Sequence, residues 1–185
     1  MTARRKLTVN FDGLCEPANP AGIPCYGFVV KNDGTAASYC EYGLVNLVEP
    51  FSLQSNSNAA EYGSAIRAME WLIKNGYAND NSECEILMRG DSQLIMRKLK
   101  SSHYSPKAAR INSLYDKAIV LRSKFVPDSI RFEWVKRDEN READKLAKEA
   151  YYWALKKYPT LRMRVRAHWA TMLWLEQVIH CHKEN

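Results

Sequence analysis

Paired cysteines, long apolar runs and internal repeats are what this chain lacks. Its five cysteines, Cys15, Cys25, Cys40, Cys84 and Cys181, are odd in number and show no C-x-x-C spacing. That argues against a disulfide framework and against a zinc site. The triplet His180–Cys181–His182 carries donors for a soft metal, but a lone triplet near a chain end reads as a solvated tail. No apolar stretch reaches the ~18 residues that a membrane span requires. The opening MTARRKLTVNFDG has no signal-type apolar core, because Asn10 and Asp12 interrupt it. No low-complexity linker divides the chain. The expectation is a cytoplasmic protein with no membrane partner, a monomer in the first instance.

What is there suits one globular domain with an appendage. The 185 residues are 46% hydrophobic and 26% charged, enough to bury a core without staples. The net charge of +6 is uneven. From Tyr151 onward six Lys/Arg face two Glu, so +4 sits in the last stretch. A basic segment points to a polyanion partner or to a solvated surface helix. The boundary is placed at 150, giving 1–150 as the main domain and 151–185 as a basic, aromatic-rich helical extension.

Hydrophobic periodicity orders the elements. KLTVNFDG alternates, with Leu7, Val9 and Phe11 on one face, and reads as a strand ending at Asp12. LCEPANPAGIP is a loop. CYGFVVKN and AASYCEYGLV are strands joined by the Asp-Gly turn in NDGT. AAEYGSAIRAMEWLIKNG is a helix ending at Gly76, its start capped from QSNSN. CEILMR is a short apolar strand of the kind buried on both faces. A short helix runs to about Leu99, a long one spans PKAARINSLYDKAIVLRSKF, and IRFEWV is a fifth strand. READKLAKEAYYWALKKY and TLRMRVRAHWATMLWLEQVIH are helical, with a break before Pro159. Trp71 and Trp134 are expected in the core. The order predicts an α/β fold: a five-stranded mixed sheet flanked by helices, plus a C-terminal helical extension.

Four acids sit at element boundaries or early helix turns beside apolar neighbours: Asp12, Glu61, Asp91 and Asp144. Each has a local alternative. Asp12 before Gly13 suits a turn, Glu61 and Asp144 suit the first turns of helices, and Asp91 beside Ser92 suits a cap. If the first and fourth strands are neighbours, Asp12 and Asp91 meet, and Glu61 and Asp144 reach the same place. Four carboxylates so placed repel one another. Two hard divalent cations, Mg²⁺ or Mn²⁺, relieve this and suit phosphodiester hydrolysis.

The pieces VNFDG with a downstream NPAG, NSNAAEYGSAIRAM, ILMRGDSQLI and WVKRDENREADKLAKEA resemble a type 1 ribonuclease H, in that family's order, over about Leu7 to Ala150. The resemblance implies the ribonuclease H fold and an endonuclease that cuts the RNA strand of RNA–DNA hybrids, leaving 3′-hydroxyl and 5′-phosphate ends. It implies two Mg²⁺ per site, with Mn²⁺ as the alternative, held by Asp12, Glu61, Asp91 and Asp144. Ser57, Asn58 and Gln93 match hybrid-contacting positions, and polar groups there suit the ribose hydroxyls of a shallow minor groove. Ser57 and Asn58 also suit helix capping.

Two departures bear on mechanism. Many bacterial relatives carry a histidine in the loop before the last acid, and KRDENREAD has none. Arg137 is the stand-in as a catalytic group, with Asn140 next as a substrate contact. The family's basic protrusion has no room in KLKSSHYSPK, where His103 reads as a surface residue, and this places the chain nearest the shorter, archaeal-like branch. Some members of that branch attack double-stranded RNA, which stays open here. In the extension, Arg162, Arg164 and Arg166 are left for nucleic acid, and Leu161, Trp169, Leu173, Leu175 and Ile179 for packing against the domain or a twin chain. A non-catalytic nucleic-acid-binding module of the same fold is the alternative, and the retained acids weigh against it.

Overall fold

The computed structural model describes residues 5–33, 35, 38–79, 84–101 and 113–183, with side chains described at all of these but 113 and 177–183. The elements are β1 (Arg5–Glu16), β2 (Ile23–Asn32), β3 (Ser38–Leu44), α1 (Ser57–Lys74), β4 (Cys84–Gly90), α2 (Gln93–Lys100), α3 (Ser113–Arg122), β5 (Ile130–Trp134), one 3₁₀ turn (Arg137–Glu139), α4 (Arg141–Lys157) and α5 (Pro159–Lys183). The sheet order is β3-β2-β1-β4-β5. β1–β2 and β2–β3 are antiparallel, while β1–β4 and β4–β5 are parallel. The five-stranded mixed sheet with flanking helices is therefore as read from the sequence.

Leu7, Val9 and Phe11 turn one face of β1 into the core, and Ile86 and Met88 do the same from β4. α1 covers them with Ala65, Ile66, Met69 and Leu72, and Ile95, Met96, Leu99 and Phe132 close the cluster. Truncating any one of the large aliphatic side chains to Ala costs about 2–5 kcal/mol in such a setting. β4 differs from the expectation of burial on both faces. Cys84, Ile86 and Met88 are buried, whereas Glu85, Leu87 and Arg89 are only half-buried. Its second face carries charge, and Arg89 donates to Glu133 of β5 at 2.7 Å.

Three further differences have local causes. β1 does not stop at Asp12, because the ladder with β2 continues through Glu16↔Ile23. Asp12 thus lies within a strand, and the turn reading for it falls. The α1 cap is Asn56, whose Oδ1 accepts from Ala59 N at 2.9 Å, not Ser57 or Asn58. Trp71 is half-buried at the rim, stacked on Tyr39 and Tyr77 with centroids 4.5 and 5.9 Å apart. The first part of the long helix predicted over residues 106–125, and His103, lie outside the described residues.

The chain forms two compact units, residues 1–151 and 152–185. In the second, α5 opens on Pro159, whose fixed φ and missing N–H suit a first helical position. Trp169, Leu173 and Leu175, read as packing positions, are exposed in the single chain. The side chains of Ile179 and of the His180–His182 triplet lie outside the described set. Among the described residues, no helix is long and apolar enough to cross a membrane.

Candidate active site

The parallel register sets the first two acids. Asn10 of β1 pairs with Arg89 of β4, so Asp12 and Asp91 each follow two residues on, at equivalent places along neighbouring central strands. Gly13 sets the third. A Cβ there would fall 2.2 Å from Ala60 C and Glu61 N. The backbones of β1 and α1 touch at this point, which only a glycine allows, and Glu61 is delivered next to Asp12. One carboxylate oxygen each from Asp12, Glu61 and Asp91 lie within 4.8 Å of one another.

This cluster is electrostatically strained. Burial, followed by the charge of Asp91, pushes the Asp12 carboxyl up to about 7, although the Gly13 N–H donates to it at 2.9 Å. Burial, then the charges of Asp12 and Asp91, raise Glu61 well above the ordinary carboxylate range. Glu61 Oε2 is buried without a hydrogen-bond partner, an arrangement that costs stability unless something fills it. Three carboxylates drawn together, with one Glu61 oxygen left unpartnered, fit a hard divalent cation with oxygen preference, and Asp12, Glu61 and Asp91 are the residues that can hold it.

Asp144 stands differently. α4 packs against β2 at Gly27, the register partner of Asp12, where a Cβ would meet Ala147 N at 2.5 Å and Leu146 Cβ at 2.6 Å. This close approach brings the fourth residue of α4 towards the same end of the sheet, and its charge is felt by Asp12. Yet Asp144 is not among the three clustered acids. Arg137 Nη2 donates to its Oδ1 at 2.9 Å and Lys148 Nζ to its Oδ2 at 2.5 Å. Burial alone would raise its carboxyl, but the bonds from Lys148 and Arg137 outweigh burial and keep it below the ordinary value.

Of the other expected residues, Arg137 is 70% exposed apart from its bond to Asp144. Asn58 lies in the first turn of α1, Gln93 opens α2, and both are exposed. Ser57 is half-buried and clamped by Asn19, whose Nδ2 donates to Ser57 Oγ at 2.8 Å and whose Oδ1 accepts from Ser57 N at 3.0 Å. Asn140 corrects the expectation of a substrate contact. It is 1% exposed, donates to Phe11 O at 2.9 Å and to Asp91 Oδ1 at 3.4 Å, and accepts from Asn10 Nδ2 at 3.1 Å. Both ends of its amide are used inside the chain, so it positions Asp91. Trp134 corrects the expectation of a core position: the residue is 41% exposed, and Nε1 donates to Asp91 O at 2.9 Å. Lys148 is legible in the sequence as the i+4 neighbour of Asp144. Asn19 and Asn10 act across long sequence separations and left no local signal.

Residues 44–150 match the family model described as Reverse transcriptase-like. The chain is 33% identical over 97 residues to the Bifunctional protein Rv2228c of Mycobacterium tuberculosis (strain ATCC 25618 / H37Rv), covering 52% of this chain and 24% of that protein. The match thus spans about a quarter of the length of the curated relatives. Among solved structures, LC11-RNase H1 in complex with an RNA/DNA hybrid is 25% identical, with a TM-score of 0.62 over 80% of this chain and 99% of that one. RNase H1 from the halophilic archaeon Halobacterium salinarum NRC-1 is 26% identical, with a TM-score of 0.59 over 79% and 97%. An acidic trio built on β1, α1 and the end of β4 of this mixed sheet, together with these likenesses, places the chain in the reverse transcriptase-like family, among the type 1 ribonucleases H.

Proposed function

We propose that this chain is a metal-dependent ribonuclease that hydrolyses the RNA strand of RNA–DNA hybrids and leaves 3′-hydroxyl and 5′-phosphate ends. The observation that carries the reading is the Asp12–Glu61–Asp91 cluster, with Asp12 and Glu61 buried, Asp91 half-buried and Glu61 Oε2 orphaned. Two Mg²⁺ or Mn²⁺ ions held by Asp12, Glu61, Asp91 and Asp144 would supply water activation and stabilisation of the leaving oxygen. The chain's own groups do the rest. Asn140 and Trp134 hold Asp91 from its side-chain and main-chain oxygens. Arg137, exposed at the edge and, among the described residues, tethered by its side chain through Asp144, contacts the scissile phosphate when an anion is present to attract it. Ser57, Asn58 and Gln93 offer amide and hydroxyl groups to the ribose 2′-hydroxyls, which separates RNA from DNA without reading bases.

The test incubates pure protein with labelled RNA–DNA hybrid, double-stranded RNA and double-stranded DNA, in Mg²⁺, Mn²⁺ or EDTA. The expected outcome is cleavage of the RNA strand of the hybrid with either ion, loss of cleavage in EDTA, and loss in Asp91→Asn. Intact hybrid under both ions, or an Asp91→Asn protein as active as the parent, rejects the reading. The double-stranded RNA arm decides whether the ribose contacts suffice when both strands are RNA.

A further inference from the structure

The second compact unit has a pattern that the site does not absorb. Residues 152–185 carry six Lys/Arg against two Glu. On α5, Arg162, Arg166, Trp169 and Leu173 step by four, three and four residues, the spacing that stacks side chains along one helix face. All four are exposed, Trp169 at 51% and Leu173 at 60%. Among the described residues neither Arg162 nor Arg166 has an ion pair. Two unpaired like charges at i and i+4 repel, and this disfavours the helix unless an anion lies across both. Beside them the indole of Trp169 is held edge-on by His168, with centroids 5.6 Å apart. Its exposed ring is a large apolar surface next to two guanidinium groups.

We propose that this stripe is a second nucleic-acid contact, in which Arg162 and Arg166 bind consecutive phosphates of a duplex backbone and Trp169 packs on a ribose or base face. The chemistry selects the occupant. A phosphate backbone relieves the arginine repulsion, and a cation row beside an aromatic ring is the arrangement that grips nucleic acid without reading sequence. A second copy of α5 would set basic stripe against basic stripe. A lipid surface calls for basic and apolar residues on opposing faces of the helix, whereas here they share one. The proposal rests on the nucleic-acid substrate inferred above and adds a handle distinct from the acidic cluster.

The experiment measures binding of the full chain to a fluorescent 20-nucleotide RNA–DNA hybrid by anisotropy, in EDTA so that nothing is cut, between 50 and 300 mM salt. Compared are the parent, Arg162→Gln/Arg166→Gln, Trp169→Ala, Trp169→Phe, and a charge-matched control, Lys74→Gln/Lys124→Gln, on exposed positions of the first unit. Circular dichroism confirms that each variant is folded. The double arginine variant is expected to bind about tenfold more weakly at low salt, with the slope of log K against log salt shallower by about 2, near 0.9 per phosphate lost. Trp169→Ala weakens binding with the slope unchanged, Trp169→Phe retains most affinity, and the control matches the parent. Equal affinity and slope in the arginine variant overturn the proposal. So does a loss seen only with phosphatidylserine vesicles, or only as a change in sedimenting mass. Because cleavage is not read, a chain that cuts no hybrid yet shows the slope change would sink the catalytic reading and leave this one standing.

Discussion

The indole N–H of Trp134, at the end of β5, donates to the main-chain carbonyl of Asp91 across 2.9 Å. Ser92, which caps α2, makes no side-chain cap bond. The turn that carries Asp91 is therefore held from the neighbouring strand and not from its own helix. Trp134→Phe keeps a ring and deletes the donor. The expected loss is about 1 kcal/mol of stability, the usual net worth of one such bond, together with weaker Mn²⁺ binding by calorimetry. Unchanged Mn²⁺ affinity in a folded Trp134→Phe protein would show that Asp91 does not depend on this bond.

The Asp12 carboxyl gives the metal-free protein a pH signature. Its folded value, about 7, stands above the ordinary 3.8, so the folded state holds the proton more tightly than the unfolded chain. The stabilisation is complete below pH 4 and is lost as pH rises towards 7, on the order of a few kcal/mol for a buried group. Urea titrations in EDTA should show stability falling across this window, with Glu61 adding to the fall. Asp12→Asn should flatten the curve and raise stability at neutral pH. Added Mg²⁺ should restore stability most at pH 7 and above. A parent protein whose stability climbs over pH 4–7 in EDTA contradicts this.

Asn140 ties three segments together while hidden from solvent. Replacement by Leu removes the donor to the Phe11 carbonyl and leaves Asn10 Nδ2 with Glu139 O at 3.4 Å as its acceptor. The expected cost is about 1–3 kcal/mol for each polar group left buried and unsatisfied, read as a lower melting temperature. Activity should fall further than stability alone explains, because Asp91 loses a partner. A full-strength, fully active Asn140→Leu protein would make the residue a bystander.

Gly13 is a packing requirement. Gly13→Ala places a methyl 2.2 Å from the α1 backbone, and helix or strand must move. Overpacking of this kind costs about 1–3 kcal/mol or more. The carboxylate spacing moves with it, so cleavage should drop by at least an order of magnitude and divalent binding should weaken in parallel. A crystal structure of the variant with Glu61 undisplaced would refute the argument.

Much of the framework was legible because local patterns express it. Alternation in KLTVNF, helical spacing in AIRAMEWL and the Asp91 punctuation after ILMRG named the elements and their order. The acids were legible as residue types out of place beside apolar runs, and as words of a family. Trp134 misled because tryptophan usually means core, and the end of an edge strand leaves this residue exposed. β4 misled because its continuous apolar reading hid the salt-bridged second face that Arg89 and Glu133 make.

By itself the sequence determined the strands, the helices, the surplus of positive charge in the last residues and which acids are available. These depend on periodicity and on side-chain chemistry within a few positions. Tertiary structure alone decided that Asp12, Glu61 and Asp91 bring carboxylate oxygens within 4.8 Å of one another while Asp144 lies paired with Arg137 and Lys148. Distances between residues far apart in the chain follow from strand register and from how closely two backbones can approach at Gly13 and Gly27, and neither is written in any local stretch.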